Sequence, residues 1–294
     1  MLRECIEGLE IREDGLYVDL TFGGGGHSKE ILKHLTSGKL YGFDQDEDAV
    51  PNAETIDHPG FTFIQANFRH FRRYLKMYGV TQVDGILADL GISSHQIDEA
   101  SRGFSTRFDA ELDMRMDRGM DRTARKVVNK YSPEELHRIL GMYGEVKNAR
   151  SLAQAIAAAR TNKELVTVAD LRAVAEKMAP RGRENKYLAQ VFQALRIEVN
   201  EEMLVLEEML QQCSEALAPG GRLVIMSYHS LEDRLVKNYM QKGNTAGKVE
   251  KDFYGNLLRP LEPVTRKPVV AGAEELAANN RARSAKLRVA EKRA

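Results

Sequence analysis

Cysteine is nearly absent from this chain. Cys5 and Cys213 are the only two in 294 residues, they lie far apart, and they form no metal-ligand spacing. A reduced, cytoplasmic setting follows. The seven histidines are scattered, and none pairs with an acid or a cysteine at ligand spacing, so no metal site is expected. No apolar run approaches the length of a membrane span, and Met1-Leu-Arg-Glu-Cys5 has no signal-peptide core. A surplus of charge is missing too. Lysine plus arginine number 43 and aspartate plus glutamate 43, so global charge gives no argument for nucleic acid. No internal repeat or low-complexity stretch appears. What is present, 43% hydrophobic and 29% charged residues, is an ordinary globular composition, long enough for a large core and one or two domains.

The most informative stretch is Asp19-Leu-Thr-Phe-Gly23-Gly-Gly25-Gly26-His27-Ser28. An apolar run, Leu16-Tyr-Val18, feeds an acid, then four glycines, then a helix-like segment over 29–35. Consecutive glycines let the backbone turn sharply and approach a ligand with no side chain in the way. A pyrophosphate-binding turn presents helix-end N–H groups to an anion, which a nearby carboxylate would repel. Asp19 suits instead a ligand with a cationic head, such as the amino acid end of S-adenosylmethionine. The spacing resembles the first motif of class I methyltransferases. Lys39-Leu-Tyr-Gly-Phe43 reads as a short buried strand ending at Asp44, placed to hold ribose hydroxyls. Dinucleotide enzymes use the same second acid, so Asp44 alone does not separate the two cofactors, and a tight turn with no ligand is the plain alternative.

Strand-like and helix-like segments alternate through the first hundred residues, at 16–22, 29–35, 39–44, 61–66, 68–77 and 83–90, the rhythm of a parallel sheet covered by helices. From about 101 to 200 no strand stands out. Ser132-Pro133-Glu134-Glu135 starts a helix, 151–160 is helical by propensity, and Thr167 to Met178 is a capped helix stopped by Pro180. The α/β pattern returns with an amphipathic segment from Glu201 to Leu217, ended by Ala218-Pro-Gly-Gly221. A strand over 222–227, a helix from Leu231 and a last strand near 286–290 follow. The expected organisation is a Rossmann-like α/β domain in two parts, 1–100 and 201–294, around an all-helical insert at 101–200.

Three clusters carry candidate chemistry. Asp89-Leu-Gly-Ile-Ser-Ser94-His-Gln96 lies at the carboxyl end of the fourth strand, the edge where open α/β sheets bind ligands. An acceptor there can draw density onto an exocyclic amine and align it for attack on a methyl group. The usual acid or amide followed by two prolines is replaced by Asp89-Leu-Gly, and a turn capped by Ser93 or Ser94 is the alternative. In Ser227-Tyr228-His229-Ser230, Tyr228 could stack on a base and His229 could handle a proton; a helix capped by Ser230 is the plain reading. Arg102-Gly-Phe104-Ser with Leu112-Asp-Met114-Arg115-Met116-Asp117 could cover a cofactor, grip RNA or simply pack. The basic runs around Arg181, Arg183 and Lys186 and along Arg281 to Arg288 could neutralise phosphates or be solvated surface.

Taken together, Gly23 to Ser28, Asp84 to Ser94, Arg102 to Ser105, Leu112 to Asp117, Phe192 to Asn200, His229 to Arg234 and Arg281 to Arg288 resemble, in order and over nearly the whole chain, the bacterial small-subunit ribosomal RNA (cytosine-N4)-methyltransferases, the methyltransferase H family. The resemblance implies a class I fold with a substrate-recognising helical insert. It also implies S-adenosylmethionine-dependent methylation of a decoding-centre cytidine in 16S ribosomal RNA, with the small ribosomal subunit as partner and a homodimer left open. By matching position, its cofactor contacts fall on Gly25, Gly26, His27, Asp44, Phe68, Asp89 and Gln96, with Phe68 against the adenine. Departures are Asn185 to Val191, where the family carries a His-Pro-Ala-Thr-Arg run, and Tyr228 for phenylalanine. The apolar lead-in of the family is also mostly missing before Met1-Leu2, an expectation of a truncated start. Two rival functions stand beside this one: a nicotinamide dehydrogenase, disfavoured by Asp19, and a non-catalytic RNA- or protein-binding module that keeps a cofactor pocket.

Overall fold

The computed structural model describes residues 1–293. Residues group into two compact units, one formed by Met1–Gly91 with Met203–Ala294 and the other by Ile92–Glu202. Along the first unit run α1 (Leu2–Leu9), β1 (Leu16–Asp19), α2 (Gly26–Leu32), β2 (Lys39–Asp44), α3 (Val50–Glu54), β3 (Phe61–Gln65), α4 (Phe71–Met77) and β4 (Val83–Asp89). The helical unit contributes α5 (Ser94–Asp98), α6 (Ala124–Lys130), α7 (Pro133–Met142), α8 (Ala149–Asn162), α9 (Val168–Met178) and α10 (Glu184–Asn200). The chain then returns through α11 (Glu202–Ala216), β5 (Leu217–Ser227), α12 (Ser230–Lys242), β6 (Leu261–Pro263), β7 (Val269–Val270), α13 (Ala273–Ala278) and β8 (Lys286–Lys292).

The sheet has the order β3-β2-β1-β4-β5-β8-β6, with β7 also paired to β8. The first five strands are parallel and β8 runs antiparallel to β5. Alternate residues face opposite sides, as a pleated strand requires. Val18, Tyr41, Ile86 and Ile225 pack under α4, α11 and α12. Their neighbours Tyr17, Leu40, Leu87 and Val224 pack under α1 and α2. With both faces covered, the strands can be almost wholly apolar, which is why they read as short hydrophobic runs. Helix α1 puts Cys5 and Leu9 into this second layer, and its Gly8 lies where a Cβ would meet Val289 at 2.9 Å.

The helical unit has its own core of Leu136, Ile139, Leu152, Ile156, Leu171, Val191 and Leu195, among others. Arg102 and the 112–117 segment belong to that packing. The Arg102 guanidinium is buried and donates to the carbonyls of Arg115 and Met116, while Leu112 and Met114 are fully buried. Asn200 holds the same segment, accepting from the Met116 N–H at 2.8 Å and donating to the Met114 carbonyl at 2.8 Å. Of the readings open for this cluster, packing is the one these contacts describe.

Several boundaries differ from expectation. Strand β1 stops at Asp19, and α2 begins at Gly26, three residues early, because Gly25 takes a left-handed cap conformation at φ 75°. The helical segment expected from Glu201 to Leu217 is α11, which begins one residue later because Glu201, left-handed at φ 53°, closes α10. Strand β5 starts at Leu217, and the Ala218–Gly221 turn sits inside it where the register with β4 shifts between Val83 and Gly85.

Candidate active site

Three neighbouring strands, β2, β1 and β4, each end on an aspartate: Asp44, Asp19 and Asp89. The parallel registers set all three along one carboxyl edge of the sheet. Each does something different there.

Asp19 is fully buried beneath the glycine loop. Its carboxylate accepts from the Ser28 hydroxyl at 2.7 Å and from the Thr21 N–H at 3.1 Å, so it ties the strand end to the first turn of α2. Burial raises its pKa, and His27 and these bonds oppose the rise. Asp44 clamps the other side of the loop, accepting from the Gly23 N–H at 2.7 Å and the Asp46 N–H at 2.9 Å. Its carboxyl is pushed up to about 6, chiefly by burial. Gly25 turns the loop with positive φ, and a Cβ there would meet the Phe22 ring at 2.8 Å. Above Gly24 and Gly26 a Cβ would meet nothing within 4 Å, so this part of the loop presents bare backbone to open space.

Asp89 projects into a cavity of about 320 Å³ lined by Gly26, His27, Asp89, Met226, Tyr228 and Glu275, among others. The Thr21 hydroxyl accepts from the Asp89 N–H at 2.6 Å and fixes the backbone. His27 Nδ1 lies 4.0 Å from Asp89 Oδ2, and the Tyr228 hydroxyl bonds to the same carboxylate. Burial again dominates, raising Asp89 to about 6, with His27 and Tyr228 pulling the other way. The Tyr228 phenol is pushed well up by burial and by the charge of Asp89. Two buried polar atoms at this cavity, Asp89 Oδ1 and His27 Nε2, have no hydrogen-bond partner among the described residues. Buried polar groups are almost always satisfied, so an acceptor and an imidazole nitrogen left over at a cavity are placed for a ligand.

His229 stands apart from the cavity lining. It, and not Ser230, is the N-cap of α12, with Nδ1 accepting from the Glu232 N–H at 3.4 Å and Nε2 3.2 Å from Glu232 Oε1. Glu232 is buried and accepts from the backbone N–H groups of Tyr228 and His229 at 2.9 and 3.3 Å. Phe68 sits half-buried at the start of the turn after β3, which Asn67 ties to Gln45 at 2.7 Å. Gln96 lies in the helical unit and forms the capping box of α5, exchanging bonds with Ser93 at 3.1 Å in both directions. The structure therefore brings Gly26, His27, Asp89 and Tyr228 around one cavity. Asp19, Gly25 and Asp44 shape the loop that forms its wall. Thr21, Ser28 and Glu232 were not anticipated; an acid three residues into α12 after a polar cap was the available signal for Glu232.

The MraW methylase family matches residues 1–293. The chain belongs to that family. Its relatives include the ribosomal RNA small subunit methyltransferase H of Cytophaga hutchinsonii, 59% identical over 292 residues that cover 99% of this chain and 98% of that one. The protein of the same name from Phocaeicola vulgatus is 55% identical over 294 residues, 100% of this chain and 96% of that one. Among solved structures, an rRNA methylase from Streptococcus thermophilus is 13% identical with a TM-score of 0.42, covering 100% and 94% of the two chains.

The methyl donor of this methylase is S-adenosylmethionine, and the site's chemistry fits it. The donor carries a sulfonium and an ammonium, and the methylase offers two carboxylates, Asp44 and Asp89, whose desolvation is only partly offset within the protein. Bare glycine backbone would allow its close approach, and the unsatisfied His27 nitrogen would offer it a polar partner. If Asp44 also receives ribose hydroxyls, charged hydrogen bonds contributing roughly 1.5–3 kcal/mol each are at stake. Asp44→Ala is expected to weaken S-adenosylmethionine binding at least about tenfold. Calorimetric titration checks this, and an unchanged affinity would remove Asp44 from the cofactor site.

Proposed function

We propose that this methylase transfers a methyl group from S-adenosylmethionine to the N4 amine of a decoding-centre cytidine in 16S ribosomal RNA. Family membership and the names of the relatives support the RNA substrate. The observation that carries the finer reading is Asp89, a half-buried carboxylate at the strand edge, bonded to Tyr228 and with one buried oxygen unused.

Bound S-adenosylmethionine supplies a methyl group made electrophilic by its sulfonium. The chain's own residues then have to present a poor nucleophile, because the lone pair of a cytosine amine is conjugated with the ring. Asp89 Oδ1 is suited to accept from the amine N–H, which returns density to nitrogen and holds it in line. With a pKa raised only to about 6, the carboxylate is mostly ionised at neutral pH and able to accept. Tyr228 fixes the Asp89 carboxylate through its hydroxyl and offers its ring to the cavity, where a flipped-out base can be held. His229 is a positioning residue in this scheme, setting the start of α12 and thereby the backbone of Tyr228 through Glu232. The methylated amine is acidic and can lose its proton to solvent.

The helical unit is proposed to engage the RNA. Arg181, Arg183 and Lys186 are exposed in and beside the loop between α9 and α10, free to meet phosphates. Non-catalytic binding is the reading these features must displace. Transfer of labelled methyl to small subunits from a strain lacking the enzyme should yield N4-methylated cytidine on nucleoside digestion. Label on a ring carbon or a ribose hydroxyl would overturn the amine assignment, and no incorporation would leave a binding module.

Tyr228→Ala and His229→Ala are expected to lower the single-turnover rate about 10²–10⁴-fold, the range of positioning and proton-handling groups, with much smaller changes in cofactor affinity. Rates near those of the unaltered protein in both variants would reduce this loop to a helix cap.

A further inference from the structure

The connection from α12 to β6 holds an unusual object. Residues 250–258 fold back as a small hairpin, with Lys251 bridged antiparallel to Leu257 and the Leu258 N–H bonded to the Glu250 carbonyl at 2.9 Å. At its tip Phe253 is 97% exposed and Tyr254 85% exposed. The rings meet edge to face, 5.6 Å apart at 88°, so two aromatic faces point outward in different directions. Leaving two such rings in water forfeits a large apolar burial, which marks a contact surface.

The turn is built to hold them there. The Asp252 carboxylate accepts from the N–H groups of Tyr254 and Asn256 at 2.8 Å each and from the Asn256 side chain at 2.9 Å. Gly255 takes the positive φ of 86° that closes the turn. Below the tip, Asn244 bonds to both the N–H and the carbonyl of Lys248, and Arg259 donates to the Gln241 carbonyl. The acid of the tip is thus turned into the hairpin. Lys248 and Lys251 are exposed and make no ion pair among the described residues.

Topology places the hairpin far from the cavity. Helix α12 leaves the carboxyl end of β5 and runs 13 residues, about 20 Å, before the hairpin begins. Strand β6, antiparallel to β8 as β5 is, starts at the edge of the sheet opposite the one where Asp89 sits. A small substrate in the cavity cannot reach it; a large one can.

We propose that this hairpin is a second RNA contact, in which Phe253 and Tyr254 stack on unpaired bases of the small-subunit RNA while Lys248 and Lys251 face its phosphates. The inference rests on the RNA substrate proposed above. Aromatic side chains pair with unstacked bases at about 1–3 kcal/mol per base, and exposed lysines beside them favour a partner that carries both negative charge and stackable rings, as single-stranded RNA does. Because the tip lies away from the chemistry, it acts on substrate affinity alone.

Two measurements on the full chain test this. The double variant Phe253→Ala, Tyr254→Ala should raise the Kd for small subunits at least about tenfold, leaving S-adenosylmethionine affinity and the single-turnover rate at saturating subunits unchanged. A photoreactive benzoylphenylalanine placed at position 253 should crosslink to subunit RNA, giving an adduct destroyed by nuclease. An unchanged Kd, or an adduct with a ribosomal protein or with a second copy of this chain, would overturn the inference. If the unaltered protein neither binds nor methylates small subunits, the substrate reading itself fails, and the hairpin's role as an RNA contact falls with it.

Discussion

Three carboxylates crowd the carboxyl edge of three adjacent parallel strands, and the site is organised around the cost of keeping them there. Burial is the chief cause that holds Asp44 and Asp89 up to about 6, and it raises Asp19 as well. The protein offsets part of that cost with backbone amides of the glycine loop, the Ser28 and Tyr228 hydroxyls and His27. These compensating bonds are what shape the loop. Gly23 is held by Asp44, the start of α2 by Asp19, and the backbone of β4 by Thr21. What stays uncompensated is one oxygen of Asp89 and one nitrogen of His27, both at the cavity. A cationic cofactor and an amine donor are the two species that such a residue of unmet charge would favour.

Much of this was legible in the sequence because each element states its end. Apolar runs closing on Asp19, Asp44 and Asp89, each followed by glycine or a polar turn, mark strands whose carboxyl ends must share an edge. A last strand near 286–290 is readable from the same pattern, but the order of the strands and the antiparallel pairing of β8 are not. What could not be read is how each acid divides its bonds. Asp19 looks like a ligand contact by position, yet both its oxygens are taken inside the fold. Nothing in the spacing says that Ser28 points back at it.

Other details escaped for physical reasons of their own. Ala218-Pro-Gly-Gly221 reads as a terminator but lies inside β5, where a register shift absorbs it. Histidine is an unusual N-cap, so Ser230 is the natural expectation; Glu232 makes His229 serve instead, by accepting from its backbone and that of Tyr228. Helix α1 carries Leu2, Cys5, Ile6 and Leu9 at helical spacing, but eight residues give too short a pattern to stand out.

The central claim is that half-buried carboxylates with raised pKa values await a cation, and proton linkage tests it. A carboxyl raised above its ordinary value near 3.8 binds protons in the folded protein between about pH 4 and 6, and its ionisation works against folding as pH rises through that window. A bound cation favours the ionised form, so binding below about pH 6 must release protons and grow weaker as pH falls. Calorimetric titration of S-adenosylmethionine in buffers of differing ionisation enthalpy measures both. The account predicts an affinity at least about tenfold weaker at pH 5 than at pH 7, with proton release at pH 5 that vanishes near pH 7.5. Equal affinity across that range, with no dependence on buffer, would contradict it.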